Sequence, residues 1–128
     1  MSRPAYLDRL APGELARRAE EARARLTDCD LCARSCRADR TAGLEGVACR
    51  TGVLAAVDGF APHFGEEEPI TGFGGSGTIF FSSCNLRCVF CQNWEISQTG
   101  RGRPADDRDL AEMMLRLQDM GCHNINFV

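Results

Sequence analysis

Apolar residues recur every three to four positions in two parts of the chain, and this spacing predicts two amphipathic helices. The first helix is expected over residues 11–28, within an N-terminal helical segment 1–28, with one apolar face formed by Leu15, Ala19, Ala22 and Leu26. The second is expected over residues 108–121, with an apolar face formed by Leu110, Met113, Met114 and Leu117. Asp106 or Asp107 is suited to cap the start of the second helix, and Gly121 to end it. The charged residues opposite the first apolar face are interpreted as solvated surface.

Short apolar runs rich in β-branched and aromatic residues predict strands. GTIFFS at 77–82 and NINFV at 124–128 flank the second helix, and VLAAV at 53–57 is a further candidate. Strand, helix and strand make a βαβ unit, so the two flanking strands should be parallel neighbours with a right-handed crossover. The predicted fold class is therefore α/β. Residues 53–76 contain several glycines and prolines and an acidic run, and they are predicted to form a linker before this unit.

Composition narrows the class of protein. The 128 residues are 44% hydrophobic and 26% charged, which is typical of a globular chain. A net charge of −3 and the lack of a long basic patch argue against a nucleic-acid partner. No apolar run reaches the roughly 20 residues that span a bilayer, and the N-terminus lacks the apolar core of a signal peptide. A soluble cytoplasmic protein without a membrane partner is expected.

Seven of the eight cysteines fall into two tight groups, an arrangement that favours metal sites over long-range disulfides in a reducing compartment. One group is Cys29, Cys32, Cys36 and Cys49, in a cysteine-rich module at 29–52. The other group is Cys84, Cys88 and Cys91, in the sequence CNLRCVFC. The eighth, Cys122, is interpreted as a small buried apolar residue.

Three neighbouring thiolates favour an iron–sulfur cluster over zinc. Structural zinc takes four ligands, whereas three cysteines can hold three irons of a [4Fe–4S] cluster and leave the fourth iron open for chemistry. The alternative is a non-catalytic zinc or iron–sulfur module, in which Cys122 is the fourth ligand. The four cysteines at 29–49 have the ligand count of a closed site, which suits zinc and a second [4Fe–4S] cluster equally.

The pattern C-x3-C-x-Φ-C, with Phe90 as the aromatic residue, resembles the signature of the radical S-adenosylmethionine (radical SAM) superfamily. The longer stretch GSGTIFFSSCNLRCVFCQNWEIS is similar to one branch, the proteins like pyruvate formate-lyase activating enzyme. The cysteine-rich module and the sequence HFGEEEP at 63–69 extend this resemblance over residues 29–128. In this branch a glycine often precedes the first cysteine, where this chain has Ser83.

The resemblance implies an oxidoreductase in which Cys84, Cys88 and Cys91 ligate a [4Fe–4S] cluster and Phe90 packs near the adenine of S-adenosylmethionine. Reductive cleavage of that cofactor would give a 5′-deoxyadenosyl radical for hydrogen abstraction. The implied partners are an electron donor such as flavodoxin or ferredoxin, and a glycyl radical enzyme as protein substrate. The implied fold is a partial (β/α)6 barrel over residues 77–128, with GTIFFS and NINFV as its first two strands. Later barrel strands are not in this sequence, so a fragment is expected.

Other polar motifs have simpler explanations. GFGGSG at 72–77 matches a dinucleotide-binding pattern, but a strand follows it and no helix opens, so a turn is expected. His63, His123 and the acidic run at 66–68 are interpreted as surface residues. Asn93 and Trp94 follow the last cysteine closely enough to shield a cluster.

Overall fold

The computed structural model describes residues 10–128, and the chain divides into two compact units, one ending at Val47 and the other beginning at Ala48. In the first unit, helix α1 spans Glu14–Ala24 and continues as a 3₁₀ turn over Arg25–Asp28. In the second unit the elements are β1 (Ala55–His63), α2 (Glu68–Thr71), β2 (Ser76–Phe81), α3 (Trp94–Thr99), β3 (Arg103–Ala105), α4 (Asp107–Asp119) and β4 (Ile125–Phe127). No helix within residues 10–128 is both long enough and apolar enough to cross a membrane.

The first predicted helix is confirmed as α1, and ion pairs connect its charged residues. Glu14 binds Arg17 at 2.8 Å and Arg18 at 2.7 Å, one turn further along. These hydrogen bonds hold the pKa of Glu14 below its ordinary value, and the bond from Arg17 has the largest effect. The predicted apolar face is only partly used, because Leu15 is exposed while Leu26 is buried.

The second unit is built on a mixed, open four-stranded sheet with the order β3-β1-β2-β4. Strands β2 and β4 are parallel, with Gly77 opposite Ile125 and Ile79 opposite Phe127. The predicted helix, α4, lies between them in the chain, so the predicted parallel pairing is confirmed. The connection also contains α3 and β3, which the sequence did not predict. Strand β1 pairs antiparallel with both β2 and β3.

The candidate strand at 53–57 is confirmed in part as the start of β1, which runs on to His63 and is the longest strand of the sheet. The first half of residues 53–76 is therefore mostly strand, in place of the linker that the sequence predicts. Asp58, Gly59 and Pro62 are poor strand formers and interrupted the pattern. Pairing with β2 overrides these local preferences, and a bulge between Val57 and Gly59 accommodates the irregular residues. Helix α2, which has a proline in its first turn, occupies part of the second half.

Helix α4 packs on one face of this sheet and forms the core of the unit. Its Leu117 is fully buried together with Ile79 of β2, and Val57 and Ala105 complete the buried cluster. The predicted N-cap is confirmed as Asp106, whose carboxylate accepts hydrogen bonds from the N–H groups of Arg108 and Asp109, both at 2.9 Å. These bonds lower the pKa of Asp106, and the bond from the Asp109 N–H has the largest effect.

The glycine-rich stretch at 72–77 is a turn into β2, as expected, and no helix follows it. Its third residue, Gly74, lies against the backbone of Gly121 at the end of α4. A Cβ atom at Gly74 would stand 1.7 Å from the Gly121 carbonyl oxygen. This contact couples the start of β2 to the turn that leads into β4.

Candidate metal centre

The cysteine loop, residues 84–91, begins directly beyond the carboxyl end of β2 and leads into α3. Its cysteines Cys84, Cys88 and Cys91 are partly exposed free thiols. In α/β proteins the carboxyl ends of parallel strands are the usual place for catalytic groups. The fold therefore places the three thiols near the carboxyl end of β2, the edge of the sheet where such groups are usually found.

Helix α3 anchors the chain on the strand side of the cysteine loop. The carbonyl oxygen of Ile96 accepts hydrogen bonds from the Ser83 N–H at 2.9 Å and from the Ser82 hydroxyl at 3.1 Å. Ser82 is buried at the end of β2. The residues that precede Cys84 are thus fixed to α3 before the loop starts.

The same helix contacts the second and third cysteines. The Gln98 side-chain amide donates to the carbonyl oxygen of Cys88 at 3.3 Å, and the Ser97 hydroxyl lies 3.4 Å from the Cys91 sulfur. The Arg50 guanidinium donates to the carbonyl oxygen of Gln98 and so holds the end of α3. The helix therefore fixes the loop at several points along its length.

Two of the thiols already have hydrogen-bonding groups directed at sulfur. The backbone N–H of Leu86 donates to the Cys84 sulfur at 3.4 Å. At Cys91 the corresponding group is the Ser97 hydroxyl, and either atom of that pair can be the donor. Both sulfurs therefore have a hydrogen-bonding group of the protein within reach.

The residue before Cys84 has an unusual backbone conformation. Ser83 has φ +72°, in the left-handed region that costs a residue with a Cβ about 1–2 kcal/mol and costs glycine almost nothing. This explains why glycine is frequent at this position in the proteins that the chain resembles. The turn geometry is kept here in spite of serine.

We therefore expect Ser83→Gly to stabilise the second unit by about 1 kcal/mol, because the left-handed strain is removed. Urea unfolding followed by the fluorescence of Trp94, the one tryptophan of the sequence, measures this. Ser82→Gly is the matched control, and it should destabilise, since the buried hydroxyl loses its bond to Ile96. Equal destabilisation by both variants would contradict the strain at Ser83.

A cavity of about 260 Å³ lies beside the loop. Its lining includes the thiol-bearing residues Cys84 and Cys91 as well as Asn93, which the sequence placed near the site. Apolar residues supply much of the wall, including Phe81 and Phe127, whose rings pack edge to face with centroids 5.4 Å apart. The cavity can therefore hold a largely apolar group next to two of the three thiols.

The donor set suits an iron–sulfur cluster. Three thiols on one loop match the cysteine ligation of such clusters, whereas a structural zinc needs a fourth ligand. No three His, Cys, Asp or Glu side chains between residues 10 and 128 lie close enough together to hold a metal ion as the side chains stand. The assignment of Cys84, Cys88 and Cys91 as ligands rests on donor chemistry and on the position of the loop, and it stays a prediction.

Phe90 lies outside the lining of this cavity. Its side chain is 85% exposed, and the neighbouring Val89 is fully exposed as well. Trp94 is also exposed at the start of α3. The predicted packing of Phe90 near an adenine thus stays a prediction, with the aromatic ring accessible for it.

The upstream cysteine group is divided between the two units. Cys29, Cys32 and Cys36 belong to the first unit and Cys49 to the second. In the first unit the Cys29 N–H donates to the Ala38 carbonyl at 3.1 Å, and the Arg37 N–H donates to the Cys29 carbonyl at 2.9 Å. These bonds close the loop that carries three of the four predicted ligands.

The remaining candidates lie on the surface or in the core. His63 is about half exposed and lies 4.0 Å from the Glu66 carboxylate, and His123 and the acidic run at 66–68 are exposed. Cys122 is partly buried and packs against the core cluster of the second unit, in agreement with its interpretation as an apolar residue. Sequence inspection did not single out Ser97 and Gln98, because nothing in a six-residue polar helix marks the residues that face a cysteine.

Part of the chain is similar to a known family. Residues 78–128 match the Radical SAM superfamily model. These matched residues, named the radical SAM segment after that model, contain the cysteine loop, α3, β3, α4 and β4. The upstream cysteines lie outside it.

The chain is also similar to a curated relative, the uncharacterized protein MJ0674 of Methanocaldococcus jannaschii. The two are 38% identical over 73 residues, which is 52% of this chain and 20% of the relative. The chain thus spans about a fifth of the length of the curated relative that it matches. No solved structure gives a significant match.

Proposed function

We propose that the cysteine loop binds a [4Fe–4S] cluster together with S-adenosylmethionine, and that the protein acts as a radical SAM enzyme. The observation that carries this proposal is the position of three thiols, spaced C-x3-C-x2-C, directly after β2 of the radical SAM segment. Cys84, Cys88 and Cys91 would hold the cluster, which would supply one-electron reduction of S-adenosylmethionine and so radical hydrogen abstraction.

The residues of the chain prepare this site in three ways. Cys84, Cys88 and Cys91 would hold the cluster, and α3 keeps the loop in one conformation through Ile96 and Gln98. The Leu86 N–H is placed to donate a hydrogen bond to the Cys84 sulfur. The neighbouring cavity presents a largely apolar wall on the side where two thiols lie.

The finer proposal concerns the branch of the superfamily. The resemblance of GSGTIFFSSCNLRCVFCQNWEIS to proteins like pyruvate formate-lyase activating enzyme supports a glycyl radical enzyme as protein substrate, and flavodoxin or ferredoxin as electron donor. The same resemblance supports a partial (β/α)6 barrel with β2 and β4 as neighbouring strands. Eight free cysteines suit the reducing cytoplasm.

The upstream cysteines are proposed to hold a second metal centre, either a [4Fe–4S] cluster or zinc. The closed loop around Cys29 supports a local site, because it keeps Cys29, Cys32 and Cys36 within a short segment of backbone. Cys29 is only 5% exposed, so a metal bound through its sulfur would be shielded from solvent on that side. A second cluster would be able to relay electrons to the first.

Anaerobic reconstitution of the full chain with iron and sulfide tests the proposed function. After reduction we expect a paramagnetic signal whose shape changes when S-adenosylmethionine is added, because the cofactor binds the iron without a cysteine ligand. A variant with Cys29, Cys32 and Cys36 replaced by alanine distinguishes the cysteine loop from the upstream cysteines. Its paramagnetic signal should still change shape when S-adenosylmethionine is added.

Two results would count against the proposed function. A reduced signal that S-adenosylmethionine leaves unchanged would remove the open iron from the proposal. Stoichiometric zinc at both cysteine groups, without iron uptake, would favour the alternative of a non-catalytic metal-binding module.

A further inference from the structure

Ser97 is a buried polar residue whose hydroxyl points at a cysteine of the loop. It is only 7% exposed, and its Oγ lies 3.4 Å from the Cys91 sulfur. A second acceptor, the carbonyl oxygen of Trp94, lies 3.5 Å from the same Oγ one turn back along α3. The hydroxyl has one proton, so it can donate a well-aligned hydrogen bond to only one of these two groups at a time.

Either atom can be the donor in the contact between the Ser97 Oγ and the Cys91 sulfur. A cysteine sulfur that ligates a metal carries no proton. With a cluster bound, the Ser97 hydroxyl would therefore be the donor in this contact, and the sulfur would be the acceptor.

We infer that Ser97 is a positioning residue that donates a hydrogen bond to the Cys91 sulfur of the bound cluster and raises its reduction potential. The inference rests on the proposed function. Hydrogen bonds to sulfur tune iron–sulfur potentials, because the donor stabilises the more negative, reduced form. The buried position of Ser97 strengthens this effect, since little water competes for the hydrogen bond.

The anchoring of α3 makes this donor a fixed part of the site. The Ser97 N–H donates to the Asn93 carbonyl at 2.9 Å, and the flanking residues Ile96 and Gln98 bind Ser83 and Cys88. The hydroxyl therefore reaches Cys91 from a helix that is already held on both sides. A side chain that is fixed in this way loses little entropy when the cluster binds.

The same helix offers a matched control. Thr99 also carries a hydroxyl, but that hydroxyl donates to the Glu95 carbonyl, and Thr99 is exposed. Thr99→Ala removes a hydroxyl from α3 without touching the hydrogen bond to Cys91. Ser97→Thr keeps a hydroxyl at position 97.

Redox titration of the reconstituted full chain, followed by its paramagnetic signal, tests the inference. In Ser97→Ala we expect the ratio of reduced to oxidised cluster at a fixed potential to fall about tenfold, which is a shift of about 59 mV to more negative potential for a one-electron couple. Thr99→Ala and Ser97→Thr should keep the wild-type potential. The comparison of the two alanine variants is sufficient if the additional methyl group of threonine prevents cluster binding.

An unchanged potential in Ser97→Ala, with iron content equal to the wild type, would overturn the role of Ser97 and leave the proposed function intact. Equal shifts in Ser97→Ala and Thr99→Ala would also overturn it, because they would reflect a general loosening of α3. If the wild-type chain takes up no cluster, the proposed function itself fails, and the inference fails with it.

Discussion

Cys88→Ala is expected to abolish the response of the reduced cluster signal to S-adenosylmethionine. Cys88 is the central cysteine of the loop, and its carbonyl oxygen is bound by the Gln98 side chain and by the Cys91 N–H at 3.2 Å. Without its thiolate, two local ligands remain, which is too few to hold three irons of a [4Fe–4S] cluster. Iron and sulfide analysis together with the paramagnetic signal measures the loss. Cys84→Ala and Cys91→Ala should give the same result.

Cys122→Ala is the matched control for this series. Cys122 is in the same unit and is also a free thiol, but it packs against the hydrophobic core. Its replacement should leave the response to S-adenosylmethionine in place at a small cost in stability. Loss of the response in Cys122→Ala, with normal folding, would indicate that Cys122 is a ligand, as in the alternative module.

Gly74→Ala is expected to destabilise the second unit by about 3 kcal/mol, at the upper end of the range for overpacking. The new Cβ would lie 1.7 Å from the Gly121 carbonyl oxygen and 2.4 Å from its carbon, and both are backbone atoms that cannot rotate away. Relief requires the turn after α4 to move, and that turn sets the position of β4. Urea unfolding followed by Trp94 fluorescence measures the effect.

Gly59→Ala provides the comparison for this substitution. Gly59 is in β1 of the same unit, and a Cβ atom there meets no other atom within 4 Å. Alanine at this position should change the free energy of unfolding by less than about 1 kcal/mol. A similar large loss in both variants would show that the sheet tolerates no change at glycine, and that the contact with Gly121 is not the cause.

The elements that the sequence predicts well are those with a strong local pattern. Helix α4 has a clear apolar face and a capping residue, and β2 is a continuous apolar run. The cysteine loop stands out by its spacing, the strand before it and its aromatic residue, and its role as a metal site stays a prediction. Helix α4 and strand β2 agree with the fold because tertiary contacts reinforce their local preferences.

The elements that were predicted only in part, or not at all, depend on contacts distant in sequence. Only the start of strand β1 lies in the candidate strand at 53–57. Its remainder contains residues that disfavour strands, and it forms because β2 and β3 supply hydrogen-bond partners on both edges. Helix α3 has only six residues, too few for a periodic pattern to be recognised. Ser97 lies on α3 six residues after Cys91, and no general spacing rule connects a hydroxyl to a thiol. Only the folded backbone brings the two together.

The pairing of β1 with β2 also determines how this sheet can grow. Strand β2 has β1 on one side and β4 on the other, so both of its edges are saturated. A closed barrel that starts at β2 would need the first of these edges for its final strand. Further strands can join this sheet only at its two outer edges, on β3 or on β4. Because the antiparallel strand β1 occupies one edge of β2, it prevents a sheet that starts at β2 from closing back onto that strand.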